Sequence, residues 1–374
     1  MRMKKVLLVT IFDNPNFGTY LQALALSLVI ERFGAKVEIL RYKRDYIFSK
    51  SRLRQITPFL DPVRWLRDFL FPNKWIGQIK KCHKFIAKYI SVGKKYSNFV
   101  ELEKNPPKAD IYLTGSDQVW NITHNKGVDK VFYLAFAPKG TLKYAYGASI
   151  GMSEIPEQYK SETKSLLDDY AYITVREKKA VELLKSIGVS AQEVLDPTFL
   201  LSKDEWKKFA SPRIIDEPYL LVYSVESKEQ DEIISKVARV IAKKRNLKIV
   251  EISYTGPSKE IPNCDGHIYY ATPDMFLSAM LYASYVVVSS FHGTAFSINF
   301  NKNFVSVCPD RFSSRIDSLL EKTNLMHRKV YTENDIDDFF LDENVCFDFA
   351  NEVLQKERAR SMSFFDSMLT FSRV

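Results

Sequence analysis

YVVVSSFHGTAFSINF, residues 285–300, passes from a β-branched apolar run through a polar turn into a helical pattern. A continuously apolar strand beside a helix belongs to a parallel sheet covered on both faces, since a half-solvated antiparallel strand alternates instead. The turn carries His292, then Gly293 and Thr294. Read as the opening of a helix, Gly293–Thr294 presents free backbone amides suited to phosphate. His292 at that junction exchanges protons near neutral pH, and a nearby anion favours its charged form. The plain alternative is a histidine bonded to a backbone carbonyl, and on these residues alone the two stand about level.

The same strand, turn, helix order extends outward from this stretch. Apolar runs at 5–11, 36–40, 110–115, 143–149, 172–176 and 193–199 predict strands. After SPRIIDEP the series restarts with runs at 219–225, 247–253, 285–290 and 303–307. Helical patterns fall between them at 20–33, 157–170, 177–187, 228–245, 273–283, 294–301 and 313–322. This alternation predicts an α/β chain with two Rossmann-like domains whose parallel sheets face a cleft. The first spans 1–204 and carries a basic helical insertion at 41–95; the second spans 205–374 and ends in an amphipathic helix. In such sheets ligands sit beyond the carboxyl ends of strands, so the turns there are the places to search.

The chain has 374 residues, 46% hydrophobic and 26% charged, enough for two buried cores. No apolar run reaches the ~20 residues a spanning helix needs, and KKVLLVTI reads as a first buried strand rather than a leader. Cys82, Cys264, Cys308 and Cys346 lie far apart without a CxxC pair, which argues against a metal site or disulfide framework and for a reducing cytoplasm. No cofactor motif is present. The net charge of +9 is concentrated: residues 41–95 hold fifteen Lys or Arg against three Asp, so the remainder is slightly acidic. Interleaved Trp65, Phe69, Trp75, Phe85 and Tyr89 suit an anionic membrane surface, or equally an amphipathic helix pair with a solvated basic face. No nucleic-acid motif accompanies the charge.

Five turns carry candidate chemistry. In the first, DNPNFGTY, Gly18 can bring amides close to an anion, with Asn16 or Thr19 as contact or as helix cap. The sequence is not GxGxxG, so a dinucleotide fingerprint is absent. In LTGSDQVWN, Gly115, Ser116, Asp117 and Gln118 form a loop for polar ligand groups; Asp117 is either a cap or an acceptor for a substrate hydroxyl, and Trp120 either stacks on a sugar or packs inside. YGASIG ends a strand in small residues around Ser149. TVREK places Arg176 and Glu177 where a helix begins, the arginine able to grip a carboxylate through two parallel hydrogen bonds or to pair with Glu177 or Asp196. The SSFHGT turn adds Ser290, Phe291, Gly293 and Thr294, with Arg315 following the next strand. His83, His124, His267 and His327 lack such placement and read as structural or solvated.

NFGTYLQALAL, IYLTGSDQVWN, YGASIG, ITVREKKAVELLKSIG, VLDPTFLL, VVVSSFHGTAFSINFNKNF and SSRIDSLL, in that order, resemble the polysaccharide pyruvyl transferase family. The resemblance implies the two-domain architecture of GT-B-like glycosyltransferases with the site in the cleft. It also implies transfer of a pyruvyl group from phosphoenolpyruvate to a sugar of a surface polysaccharide or its lipid-linked precursor, forming a cyclic ketal and releasing phosphate. The family's histidine corresponds to His292 and its arginine to Arg176. Several members carry an arginine two residues before that histidine, where this chain has Ser290; Arg315 is the substitute candidate. Two other readings remain, a nucleotide-sugar glycosyltransferase or epimerase of the same architecture and a non-catalytic basic surface-binding protein. The expected location is the cytoplasm, peripheral to the inner membrane face.

Overall fold

Strands such as KVLLV, IYLT, YLLVY and YVVV are buried along almost their whole length, which only a sheet sandwiched between helix layers permits. The computed structural model describes residues 3–44, 74–225, 227–257, 260–308, 314–337 and 344–371. In the first lobe β1 (Lys5–Val9), β2 (Lys36–Tyr42), β3 (Ser91–Tyr96), β4 (Ile111–Thr114), β5 (Leu142–Ala148), β6 (Tyr172–Val175) and β7 (Gln192–Glu193) pair parallel in the order β3-β2-β1-β4-β5-β6-β7. In the second, β8 (Tyr219–Tyr223), β9 (Lys248–Ile252), β10 (Gly266–Ile268), β11 (Tyr285–Val288), β12 (Phe304–Val307) and β13 (Lys329–Val330) run parallel as β10-β9-β8-β11-β12-β13. Both orders are doubly wound. The direction of winding reverses between β1 and β4 and between β8 and β11, and those reversals open crevices at the strands' carboxyl ends.

The helices that position the site are α1 (Phe17–Arg32), α2 (Lys74–Ile86), α3 (Lys178–Ser186), α4 (Lys228–Arg245), α5 (Pro273–Tyr282), α6 (Phe291–Asn299), α7 (Ser314–Lys322) and α8 (Asp348–Phe371). α1 is buried along nearly its whole length because it lies between the lobes. Its first residue, Phe17, stacks on Phe276 of α5 at 4.8 Å and meets Tyr223 and Tyr254 of the second lobe. α2 also bridges, its Gln78 amide donating to the Ala271 carbonyl. α8 returns to the first lobe: Phe364 packs against Tyr144, Tyr146 and Tyr172, while Arg358 donates to the Phe199 carbonyl at 2.6 Å and to Asn299 of α6 at 2.8 Å. Burying Leu354 and Phe365 contributes about 1.5–3 kcal/mol each before entropy is counted. The terminal helix, assigned by sequence to the second domain, therefore straps the two lobes together. Among the described residues no helix is long and apolar enough to cross a membrane.

Three strands escaped the sequence reading: β3, β10 and β13, each at a sheet edge. They are short or polar, SVGKKY, GHI and KV, because an edge strand buries little. The run 193–199 is strand only at Gln192–Glu193; Asp196 then caps a 3-10 turn opened by Pro197. Of the basic insertion, residues 45–73 lie outside the described residues, as do Trp65, Phe69 and the Trp75 side chain.

Candidate active site

The turns after β1, β4, β6, β7 and β11 meet between the lobes. Asp196, after β7, is fully buried and sits at their centre. Its Oδ1 accepts from the Thr198 amide at 2.9 Å and the Thr198 hydroxyl at 2.7 Å. Its Oδ2 accepts from Arg176 Nη1 at 2.8 Å and Ser116 Oγ at 3.0 Å, and faces His292 Nε2 at 3.8 Å. One carboxylate thus touches three separate turns, including one from the other lobe.

Arg176 follows β6 with its side chain wholly buried. Besides Asp196, its guanidinium lies 3.7 Å from Asp117 and 3.8 Å from Glu177, and its Cζ stands 4.5 Å from the centre of the Phe291 ring. Burial alone disfavours the guanidinium's charge, but Asp196, Asp117 and Glu177 outweigh that and raise its pKa. Burial likewise would raise Asp196, yet His292 and Arg176 and the bond from the Thr198 amide hold it below the ordinary carboxyl range. Asp117 is depressed too, by Arg176 and His292 against burial, with hydrogen bonds from the Gln118 amide and the Thr19 hydroxyl helping. Asp117 adopts φ +81°, a left-handed conformation that costs a non-glycine residue and persists where surroundings enforce it.

His292 belongs to the second lobe and rests on the first. Its imidazole lies so close to Gly18 that a Cβ built there would overlap the ring. Burial pushes its pKa down to about 4; Asp196 and Asp117 pull upward, Arg176 and Arg315 downward. With that pKa the imidazole is neutral at pH 7, where Arg176 supplies the positive charge beside Asp196; His292 adds its own only at acid pH.

Several buried polar atoms in this cluster have no hydrogen-bond partner among the described residues: His292 Nε2, Arg176 Nε and Nη2, and Glu177 Oε2. Buried groups are nearly always satisfied, because an orphan forfeits about 1–3 kcal/mol. Four such atoms in one buried cluster indicate that a ligand or water can bond there. The crevice beside Arg176, Asp196 and Phe291 measures about 10 Å³, about what one water needs.

The remaining expected contacts divide into two groups. Asn16 is the α1 cap, accepting from the Gly18 amide at 3.0 Å. Thr19 donates to Asp117 at 2.8 Å. Gly115 packs under Leu8 and Thr10, where a side chain has no room. Ser149 donates to Glu177 Oε1 at 2.9 Å, and that oxygen also receives the amides of Ile150 and Gly151. Gln118 accepts from Asn121 at 2.8 Å. Thr294 is buried and bonded to the Ser290 carbonyl and to Ser306. These side chains shape the site through bonds to one another. Arg315, near the start of α7, is half-buried and close enough to lower the pKa of both His292 and His124.

One sequence expectation is corrected. Helix α6 begins at Phe291 rather than at Thr294, so His292 lies inside its first turn. Ser290 is the cap, its hydroxyl accepting from the Gly293 amide at 3.0 Å, which leaves the Phe291 and His292 amides as the helix's foremost donors. Trp120 stacks on Tyr133 in the core at 5.7 Å and offers no sugar platform. His83 stacks on Phe12 and bonds to its carbonyl, a structural role. Asp196 was missed as a site residue because VLDPTF reads as one apolar strand; the Asp-Pro-Thr triplet was the available signal, a carboxylate capping a proline-opened turn.

A family model described as polysaccharide pyruvyl transferase matches residues 16–310. No curated protein matches the chain. Among solved structures, the UDP-GlcNAc 2-epimerase of Methanocaldococcus jannaschii is similar, with TM-score 0.58 and 11% identity over 99% of this chain and 100% of that one. The Neisseria meningitidis UDP-GlcNAc 2-epimerase bound to UDP-GlcNAc gives 0.57 and 11% over 97% and 100%. MnaA of S. aureus, solved with UDP, gives 0.53 and 12% over 89% and 86%. At such identities the likeness is one of fold, the two-lobed GT-B arrangement.

Proposed function

The chain belongs to the polysaccharide pyruvyl transferase family, and from that premise we propose that it transfers a pyruvyl group from phosphoenolpyruvate to a sugar, forming a ketal and releasing phosphate. The observation that carries the reading is the convergence of His292 from one lobe and Arg176 from the other on Asp196, with His292 Nε2 and Arg176 Nε and Nη2 making no hydrogen bond among the described residues. Two adjacent guanidinium N–H groups match one carboxylate. The Phe291 and His292 amides at the start of α6, with Arg315 nearby, suit a phosphate.

The donor's carboxylate takes Nε and Nη2 of Arg176, whose contacts to Glu177 and Asp117 are long, 3.8 and 3.7 Å. Its negative charge raises the pKa of His292, so the imidazole gains a proton as the cleft fills. His292 then delivers that proton to the donor's methylene carbon, leaving a cationic centre that a sugar hydroxyl attacks. The neutral imidazole takes that hydroxyl's proton. Phosphate departs with its electron pair, and a second hydroxyl closes the ring as its proton passes to phosphate. Such acid–base help is worth about two to four powers of ten in rate. Asp196, bonded to Arg176 and facing His292, keeps the two in register.

The acceptor in this reading is a sugar of a surface polysaccharide or its lipid-linked precursor, met at an anionic membrane by the basic 41–95 segment. Sedimentation with anionic vesicles at ~0.15 M salt tests that contact. The Neisseria meningitidis epimerase of like fold is bound to UDP-GlcNAc, which makes nucleotide-sugar chemistry the second reading. Incubation with phosphoenolpyruvate and carrier-linked sugars separates the two. Phosphate release that His292→Ala abolishes supports pyruvyl transfer; turnover of a UDP-sugar without phosphoenolpyruvate supports the alternative.

A further inference from the structure

Where α8 crosses the first sheet it leaves a trough of about 390 Å³, within the range of small-molecule sites. Its floor is apolar and buried, built from Tyr144, Thr174, Val194 and Met368. The Thr174 hydroxyl is committed, donating to the Ala145 carbonyl at 2.9 Å and accepting from the Gly147 amide at 3.1 Å. Phe364 forms a wall, locked by Tyr144 at 6.3 Å and Tyr172 at 5.8 Å between ring centres. Tyr172, also on the trough, is 40% exposed. One cation lines the trough, Arg360 on α8, with its side chain 49% exposed. It is loosely held: Nη2 reaches Gln192 at 3.3 Å and Nη1 stands 3.8 Å from Glu357.

We propose that this trough is a second ligand site, separate from the His292 cleft, for a small amphipathic anion with a flat or branched apolar body and a single carboxylate, sulfonate or phosphate. The aromatic walls and apolar floor take the body by burial. Arg360 takes the anionic head, since its planar fork matches such groups and its present partners are at long range. Glu357 beside it disfavours a second negative charge. The site does not depend on the transfer reaction, so its failure and that of the proposed activity are separable.

Two dyes of one shape test it: anilinonaphthalene sulfonate, which carries the charge, and phenylnaphthylamine, which lacks it. The full chain is expected to bind the sulfonate saturably at one site, about tenfold tighter than the neutral dye, a difference worth about 1.4 kcal/mol. Arg360→Gln is expected to erase the preference. Ser363→Trp, from an exposed position lining the trough, fills it and removes binding of both dyes with an unchanged circular dichroism spectrum; Ser367→Trp is the second filling variant if that one is poorly folded. Dye binding that survives both filling variants, or a sulfonate preference that survives Arg360→Gln, overturns the proposal.

Discussion

Gly18 and His292 meet across the cleft, the glycine of the first turn so close to the imidazole of the last that a Cβ would overlap the ring. The contact assigns the glycine a specific task. Beyond tightening a turn, it makes the room that lets a second-lobe histidine settle on the first lobe. Gly18→Ala forces the ring to shift, because the added methyl overlaps it. A displacement of about 1 Å at a reacting group costs on the order of a hundredfold in rate. Phosphate-release kinetics are therefore expected to show kcat/KM lowered about a hundredfold, with overpacking costing about 1–3 kcal/mol in urea unfolding. Wild-type turnover in this variant would mean that the contact is incidental.

Asp196→Asn keeps the shape of the central group and removes its charge. Arg176 retains Asp117 and Glu177 at 3.7 and 3.8 Å but loses the negative charge at 2.8 Å. Breaking a buried pair from one side costs about 3 kcal/mol. Asp196 also supports protonation of His292, so the variant's imidazole holds a proton less tightly. The alkaline limb of kcat, which reports the group in the complex, is expected to move to lower pH. A purely structural Asp196 lowers stability and leaves that limb in place.

How much of this was legible in the sequence follows from burial. Central strands such as YVVV and YLLVY announce themselves because both faces are covered, whereas β3, β10 and β13 at the edges carry mixed residues and pass for loops. The turn residues were readable as a set, since glycine, hydroxyl and carboxylate after an apolar run mark a strand's carboxyl end. Their individual tasks were not. Whether Ser149 meets a ligand or Glu177 depends on a partner twenty-eight positions away in the chain, and Asp196 acquires its meaning only from three turns brought together by folding.

Ser290 illustrates the same limit and gives a cheap test. Its hydroxyl caps α6 and is bonded to the Gly293 amide. Ser290→Ala removes a cap worth about 1 kcal/mol. Urea unfolding is expected to register that loss, while KM for the donor changes less than threefold. A large rise in KM with unchanged stability reverses the assignment and makes the hydroxyl a substrate contact.

The strongest test concerns a proton. Burial holds His292 near pKa 4, so at pH 7 the imidazole is neutral. A polyanionic donor beside it favours the charged form, and the pKa rises in the complex. Binding must then take up a proton wherever the pH lies between the two values. By linkage donor affinity strengthens as pH falls through the raised pKa, and it levels off once the pH is below about 4, where the free enzyme is already protonated. Titration calorimetry at pH 7 in two buffers of different ionisation enthalpy measures this directly, because the proton comes from the buffer and the apparent heats diverge. The donor's own phosphate also titrates, so the informative quantity is the difference between wild type and His292→Gln. We expect the wild type to take up more protons than the variant, by up to one per site. Identical proton counts would show that the imidazole is not charged by the donor, and His292 would then be left without a proton to deliver to the methylene carbon.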